Sequence, residues 1–385
     1  MVWRMLSGFS WLRGLVALGA LKAMAVVVWG AEAPTIEVTQ RFSGPSPQIA
    51  AQQPSLAAAG DSLYLAYGAG NAIYCAVSTD GGRSFSASRL VSDKGVLALG
   101  RHRGPRIAVS GKSVVVSAIV GAQGKGRDGD LWAWRSADGG KTWSAGVVIN
   151  DVPAAAREGL HGMAAGPNGL FFVVWLDLRD LGTGTRLFGA ASTDGGKTWG
   201  PDTLVYQSPD GTICQCCHPS VAIRKTGEIQ IMWRNALKGA RDLYTLSSPG
   251  PGRPFGRAVK LGVGSWQLDS CPMDGGDLTL SGSNGIESVW RRQDEVFLTI
   301  GTSPEKRLGK GKDPAIVCVS TGCYVAWQDV EGRQVMFTGP GAEEPSLLAS
   351  RGGYVDMAAN ARGRVVAAWE EEEEGTRRIA LAILP

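Results

Sequence analysis

Seven times along this chain a short apolar stretch runs into a glycine turn and back out into a second apolar stretch. The copies are PSLAAAGDSLYLAY from Pro54, PRIAVSGKSVVVSAI from Pro105, HGMAAGPNGLFFVVW from His161, PSVAIRKTGEIQIMW from Pro219, DLTLSGSNGIESVW from Asp277, PAIVCVSTGCYVAW from Pro314 and VDMAANARGRVVAAW from Val355. Their turn glycines are Gly60, Gly111, Gly169, Gly227, Gly285, Gly322 and Gly363. Apolar runs of this length, bounded by turn residues, predict β-hairpins, and no stretch carries a helical period. A third strand follows each hairpin, as in LWAWRS (Leu131–Ser136) and RLFGAAS (Arg186–Ser192). The last unit ends at RRIALAILP with no fourth strand. The segment TIEVTQRF (Thr35–Phe42) can supply that strand and close the repeats into a ring, which removes exposed sheet edges.

A second motif marks the turn after the third strand. It reads STDGGRSF (Ser78–Phe85), SADGGKTW (Ser136–Trp143) and STDGGKTW (Ser192–Trp199), and a degenerate form is SPGPGRPF (Ser248–Phe255). Asp-Gly-Gly favours a tight turn with positive φ, the carboxylate accepts backbone N–H groups, and the aromatic ring plugs apolar surface beside it. The even spacing of Asp80, Asp138 and Asp194 indicates one unit repeated around an axis. The motif resembles the Asp-box, or BNR repeat, of the sialidase-like β-propeller superfamily. The resemblance implies an all-β fold: a single propeller of four-stranded blades, seven by the repeat count, with six as the alternative because catalytic sialidases have six. It also implies that the motif sits on the face away from any active site.

Composition refines this picture in two places. The net charge of +4 over 385 residues, without a basic stripe, excludes a nucleic-acid partner. At the N-terminus Arg4 and Arg13 precede apolar stretches, and Ala31–Ala33 offers an A-x-A cleavage site. Residues 1–33 are therefore expected to be a signal peptide. An uncleaved anchor is the alternative, because Lys22 interrupts the apolar run and Pro34 would follow the cut. Residues 34–385 form the propeller domain, expected to be exported to the periplasm or extracellular space as a monomer, where disulfides are permitted. Cys318 and Cys323 flank a hairpin turn and are expected to be disulfide-bonded.

The three histidines of the chain, His102, His161 and His218, all fall just before or at the start of a predicted inner strand. Around them the sequence places Cys214, Cys216, Cys217, Cys271, Met163 and Met273. Imidazole, thiolate and thioether together form a ligand set for copper, or for zinc with cysteine. Two disulfides bracing long loops are the competing reading of the same cysteines. Cys75 is expected to be a buried small hydrophobe.

Arginines recur beside the same strand ends: Arg103, Arg106, Arg179, Arg234 and Arg291. Guanidinium groups around a channel mouth suit a carboxylate or sulfate, or they pair with neighbouring aspartates such as Asp177 and order the loops. The Glu370–Glu374 run is expected to be a solvated loop. Sialidases use three arginines, an acid/base Asp and a Tyr–Glu nucleophile pair. By that resemblance Tyr354, Glu158 and Asp177 are the candidates here, although the F/Y-R-I-P motif is missing from SPQIAAQQPSLAAAG and only GPRIA (Gly104–Ala108) echoes it. Three functions follow: binding or glycosidase-like hydrolysis of an anionic glycan, without the classical sialidase set; a copper or zinc protein using the His/Cys/Met cluster; or a non-catalytic interaction scaffold of the cell envelope.

Overall fold

A computed structural model describes residues 36–385 apart from 125, 181, 183 and 282–284. The predicted signal or anchor at residues 1–33 lies outside the described residues. Seven antiparallel sheets account for the fold, and no α-helix occurs among the described residues. The blades begin with inner strands Ala51–Ala59, Arg106–Ser110, His161–Ala165, Ser220–Ile223, Asp277–Thr279, Lys312–Val319 and Gly352–Ala359. Each inner strand packs against the next, and the seventh returns to the first, so the blades close around one axis. Seven blades is the observed number; the six-bladed alternative is excluded.

Six blades are built from consecutive strands. The seventh takes its outermost strand from the other end of the chain, in the order Val38–Phe42, Thr376–Ile383, Val365–Glu373, Gly352–Ala359. The register runs Val38 to Ala382 and Phe42 to Ile379. Phe42 is buried, with its ring 5.9 Å from Tyr67 and 6.4 Å from Phe85. The Gln40 side chain donates to the Phe85 carbonyl at 3.1 Å and accepts from the Phe85 N–H at 2.8 Å. The closing strand is thereby fastened to blade 1 as well as to blade 7.

The tryptophans that end the second strands, Trp175, Trp233, Trp290, Trp327 and Trp369, are all buried between sheets. The S-x-D-G-G turns are the same in all three copies. In the first, Ser84 donates through both N–H and hydroxyl to Asp80, and the Ser78 hydroxyl bridges Asp80 and the Gly82 N–H. Gly82 has φ 88°, and an added Cβ would lie 2.4 Å from Val366 of the preceding blade, so the position requires glycine. These turns lie beside the first-to-second-strand hairpins, as the Gly195 N–H bond to Gly169 O shows. They therefore occupy the face opposite the starts of the inner strands. Cys318 and Cys323 are disulfide-bonded across their hairpin.

Phe42→Ala should destabilise the domain by about 3 kcal/mol, the scale for deleting a buried aromatic ring. Denaturant titration measures this; a loss below about 1 kcal/mol would show that closure does not depend on that ring.

Candidate functional site at the channel mouth

The inner edges of the blades meet at the axis, where each presents unpaired backbone groups. Side chains of one blade satisfy the next. Asp277 accepts from the Ile316 N–H at 3.0 Å, Asp356 from the Leu56 N–H at 2.8 Å, and Ser55 from the Ile107 N–H at 3.3 Å. Arg106 reaches into this ring of carboxylates, where burial weakens its proton affinity and Asp356 and Asp277 oppose that effect. Its guanidinium donates to the His102 carbonyl at 2.8 Å. A channel cavity of about 190 Å3 is lined by Ser55, Arg106, Asp277, Asp356, His102, His218 and Tyr354 among others.

Blade 2 is built to deliver residues to the mouth. Its inner edge is split: Val96–Leu97 and Arg106–Ser110 both pair with Ser113–Gly121. The intervening excursion carries Arg101, His102 and Arg103. His102 donates from Nε2 to Asp313 at 2.7 Å, stacks on His218 at 4.2 Å, and meets Tyr354 edge-on at 5.1 Å. The Asp313 N–H in turn binds Asp274 at 2.8 Å. Burial, followed by the charge of Asp313, pushes the Asp274 carboxyl up. Burial and the nearby Asp313 and Glu370 charges push the Tyr354 phenol up to about 12. His218 is held well below its ordinary range by burial and by His102, and its Nδ1 is buried without a partner.

Backbone strain concentrates in the same place. Gln53, Arg101, His102, Met273, Asp313 and Tyr354 all have φ between 51° and 65°. Gln53, Asp313 and Tyr354 occupy equivalent bulges at the starts of three inner strands. Such residues cost on the order of 1–3 kcal/mol each and cluster where function fixes the geometry.

Above the channel lies a wider cavity of about 920 Å3, between blades 6, 7, 1 and 2. Its cations are Arg101, Arg103, Lys312, Arg333, Arg351 and Arg377, facing Glu370, Glu371 and Glu372. Arg103 binds Glu158, and Arg377 binds Glu372. Arg101, Lys312, Arg333 and Arg351 form no ion pair among the described residues.

The sequence-expected residues divide accordingly. Tyr354, His102, Arg103 and Arg106 are at the mouth or in the channel. Arg179 is bound by Asp177, Asp202 and Asp151, and Asp177 also accepts from the Trp175 indole. Arg234 is buried and donates to the carbonyls of Asp274, Arg241 and Arg291, while Arg291 itself binds Asp294 and Gln293 O. Arg179, Arg234 and Arg291 thus order loops and line neither cavity. Glu158 is tied to Arg103 rather than to Tyr354. Glu370 departs from the expected solvated loop: it is buried and accepts from the Gln53 N–H at 2.9 Å and side chain at 2.8 Å. Its position directly after Trp369 was the available signal, since Gln328 follows Trp327 in the same way and also lines the mouth.

The metal-ligand candidates separate into two groups. Cys214, Cys216 and Cys217 converge, with Met273 packed against them, while Cys271 is exposed. Among the described residues no histidine joins that cluster. His161 binds the Ser117 hydroxyl at 2.9 Å and is held down to about 3 by burial and by Arg106. Cys75 is buried, and burial pushes its thiol up to about 12.

Among solved structures, this architecture matches an α-L-arabinanase from Penicillium chrysogenum complexed with arabinobiose. Identity is 14%, coverage is 91% of this chain and 98% of that one, and the TM-score is 0.52. The likeness is one of fold: both chains are β-propellers, and this one has seven blades. An α-L-arabinofuranosidase of Fusarium graminearum with arabinobiose aligns at 13% identity over 91% and 98% of the two chains, with a TM-score of 0.48. A Trypanosoma rangeli sialidase with sialic acid aligns at 13% over 90% of this chain and 57% of its own, with a TM-score of 0.48. No family model matches the sequence, and no curated protein matches it.

Burial pushes the Asp277 carboxyl up from 3.8 to about 7. Between those values the folded state holds a proton that the unfolded state has lost, so this group's contribution to stability falls as pH rises through the window. Asp277→Asn should flatten that decline between pH 3.8 and about 7 in denaturant titrations. An unchanged slope would show that the carboxyl is ionised throughout.

Proposed function

We propose that this propeller binds an anionic glycan at the channel mouth and acts on it in a glycosidase-like manner. The observation that carries the reading is the 920 Å3 mouth cavity, in which Arg101, Lys312, Arg333 and Arg351 stand beside Tyr354 without acidic partners among the described residues. Unpaired guanidinium groups bind carboxylates and sulfates in bidentate fashion, and a cavity of this size accepts a short oligosaccharide. The fold neighbour with the highest similarity above is a glycan-hydrolysing protein with arabinobiose bound, which agrees with a saccharide ligand. Export fits the Cys318–Cys323 disulfide and the apolar N-terminal segment.

At the reacting centre, His102 is oriented by Asp313 and touches the Tyr354 ring. That arrangement can relay a proton: Asp313 fixes the imidazole, and the imidazole gives or takes a proton at the mouth. Tyr354 is neutral at pH 7, with burial and the Asp313 and Glu370 charges opposing ionisation. As a nucleophile it therefore requires proton removal as it attacks, and His102 is the nearest ring able to assist. The classical sialidase set is incomplete, because Glu158 is engaged with Arg103 and Asp177 with Arg179.

The Arg333→Ala/Arg351→Ala double variant should lower affinity for an anionic glycan at least about tenfold and flatten its salt dependence. A panel of sialylated, uronate and sulfated oligosaccharides, read by calorimetry, tests this; binding of neutral arabinan alone would defeat the anionic assignment. Tyr354→Phe should keep that binding and lose turnover by about a hundredfold. Full turnover in Tyr354→Phe would remove the tyrosine from the mechanism.

A further inference from the structure

Beside the mouth, the loop before the fourth inner strand folds three cysteines onto one point. The Cys214 Sγ lies 3.7 Å from Cys216 Sγ and 3.5 Å from Cys217 Sγ, and all three sulfurs fall within 4.8 Å of one another. They are buried at 2%, 8% and 1% exposure, yet they remain free thiols while Cys318 and Cys323 in the same protein are bonded. Four thiolates at about 2.3 Å around a tetrahedral ion are separated by about 3.8 Å, close to the spacing seen here. Two further sulfurs border the cluster. Cys271, after Cys214, is among the neighbours that push the Cys216 thiol up, and Met273 packs against the trio in a left-handed backbone conformation.

We propose that Cys214, Cys216 and Cys217 hold a thiophilic d10 metal ion, zinc or cuprous copper, in a closed structural site. The fourth ligand decides between them: Cys271 completes the tetrathiolate set of zinc, and Met273 the thiolate–thioether set of cuprous copper. The surroundings suit a site carrying excess thiolate charge. The charge of the buried Arg234 guanidinium acts on Cys214, whose N–H donates to the Arg234 carbonyl at 3.2 Å. Arg234 also clamps the Asp274 carbonyl, and Asp274 binds the N–H of Asp313, the partner of His102. An ion here ties the loops of blades 4 and 5 together and holds the base of the mouth. This assignment is independent of the glycan reading, since it requires no saccharide.

The test uses the full mature chain, reduced and then loaded with zinc or cuprous ion in the presence of a competing chelator. About one ion per chain is expected, with a rise in Tm on loading. Cys217→Ser should lose at least about nine-tenths of the ion. Because that buried substitution can also impair folding, exposed Cys271→Ser is the second variant: it should lose zinc selectively, and Met273→Leu should lose cuprous copper selectively. Cobalt-loaded wild type should show thiolate charge-transfer absorption that disappears in Cys217→Ser. The proposal is overturned if the wild type takes up no ion after reduction. It is equally overturned if a Cys214→Ser/Cys217→Ser variant that retains its tryptophan fluorescence spectrum keeps the ion, or if protein from an oxidising compartment carries all four cysteines as two disulfides that resist loading.

Discussion

The interaction on which the rest depends is the satisfaction of the inner sheet edges at the axis. Seven strands converge there with backbone N–H groups that no further strand can pair. Carboxylates and hydroxyls of three blades reach across to the next: Asp277 to Ile316, Asp356 to Leu56, Ser55 to Ile107. These bonds set the rotation of one blade against its neighbour. They also concentrate acid at the axis, and Arg106 is the counter-charge that makes this tolerable. The channel is thus electrostatically organised before any ligand arrives.

The mouth inherits that organisation. Asp274 and Asp313 continue the series upward, so that His102 is fixed by the same network that joins blades 5 and 6. Glu370 does the same between blades 7 and 1 through Gln53. The left-handed residues Gln53, Asp313 and Tyr354 sit in bulges at the starts of their strands, where all three line the channel. Local strain is held in place by inter-blade bonds, which explains how several unfavourable conformations coexist in one small region.

The fold was legible in the sequence because the blades repeat one pattern: apolar stretches around a turn glycine, ended in five of the seven by a tryptophan. The closing strand was legible because the last unit visibly lacked a partner. The site was legible only in part. His102 and Tyr354 could be placed from their position at the starts of inner strands. The arginines after the blade tryptophans, Arg234 and Arg291, donate to loop carbonyls that no sequence pattern announces. Of the four mouth cations without an ion pair among the described residues, Arg101, Arg333 and Arg351 come from loops without periodicity. Glu370 was masked by the acidic run after it, although register with the Trp369 strand places it inside. The separation of His161 from the cysteines depends on which side of its strand each ring faces, and one sequence leaves that open.

The fastening of the ring also has a temporal side. Val38–Phe42 is the first strand of the domain to be synthesised, and its partner around Ile379–Ala382 is nearly the last. Throughout synthesis it is an unpaired strand awaiting an edge that does not yet exist, which invites pairing with other chains. Its pattern is suited to waiting: Thr39 and Arg41 point outward, and only Phe42 is fully buried once docked. Non-local closure of this kind is slow, because the chain entropy of joining the two ends must be lost before their contacts form. Blade 7, which carries Tyr354 and Glu370, is therefore complete only when the first strand has found the last.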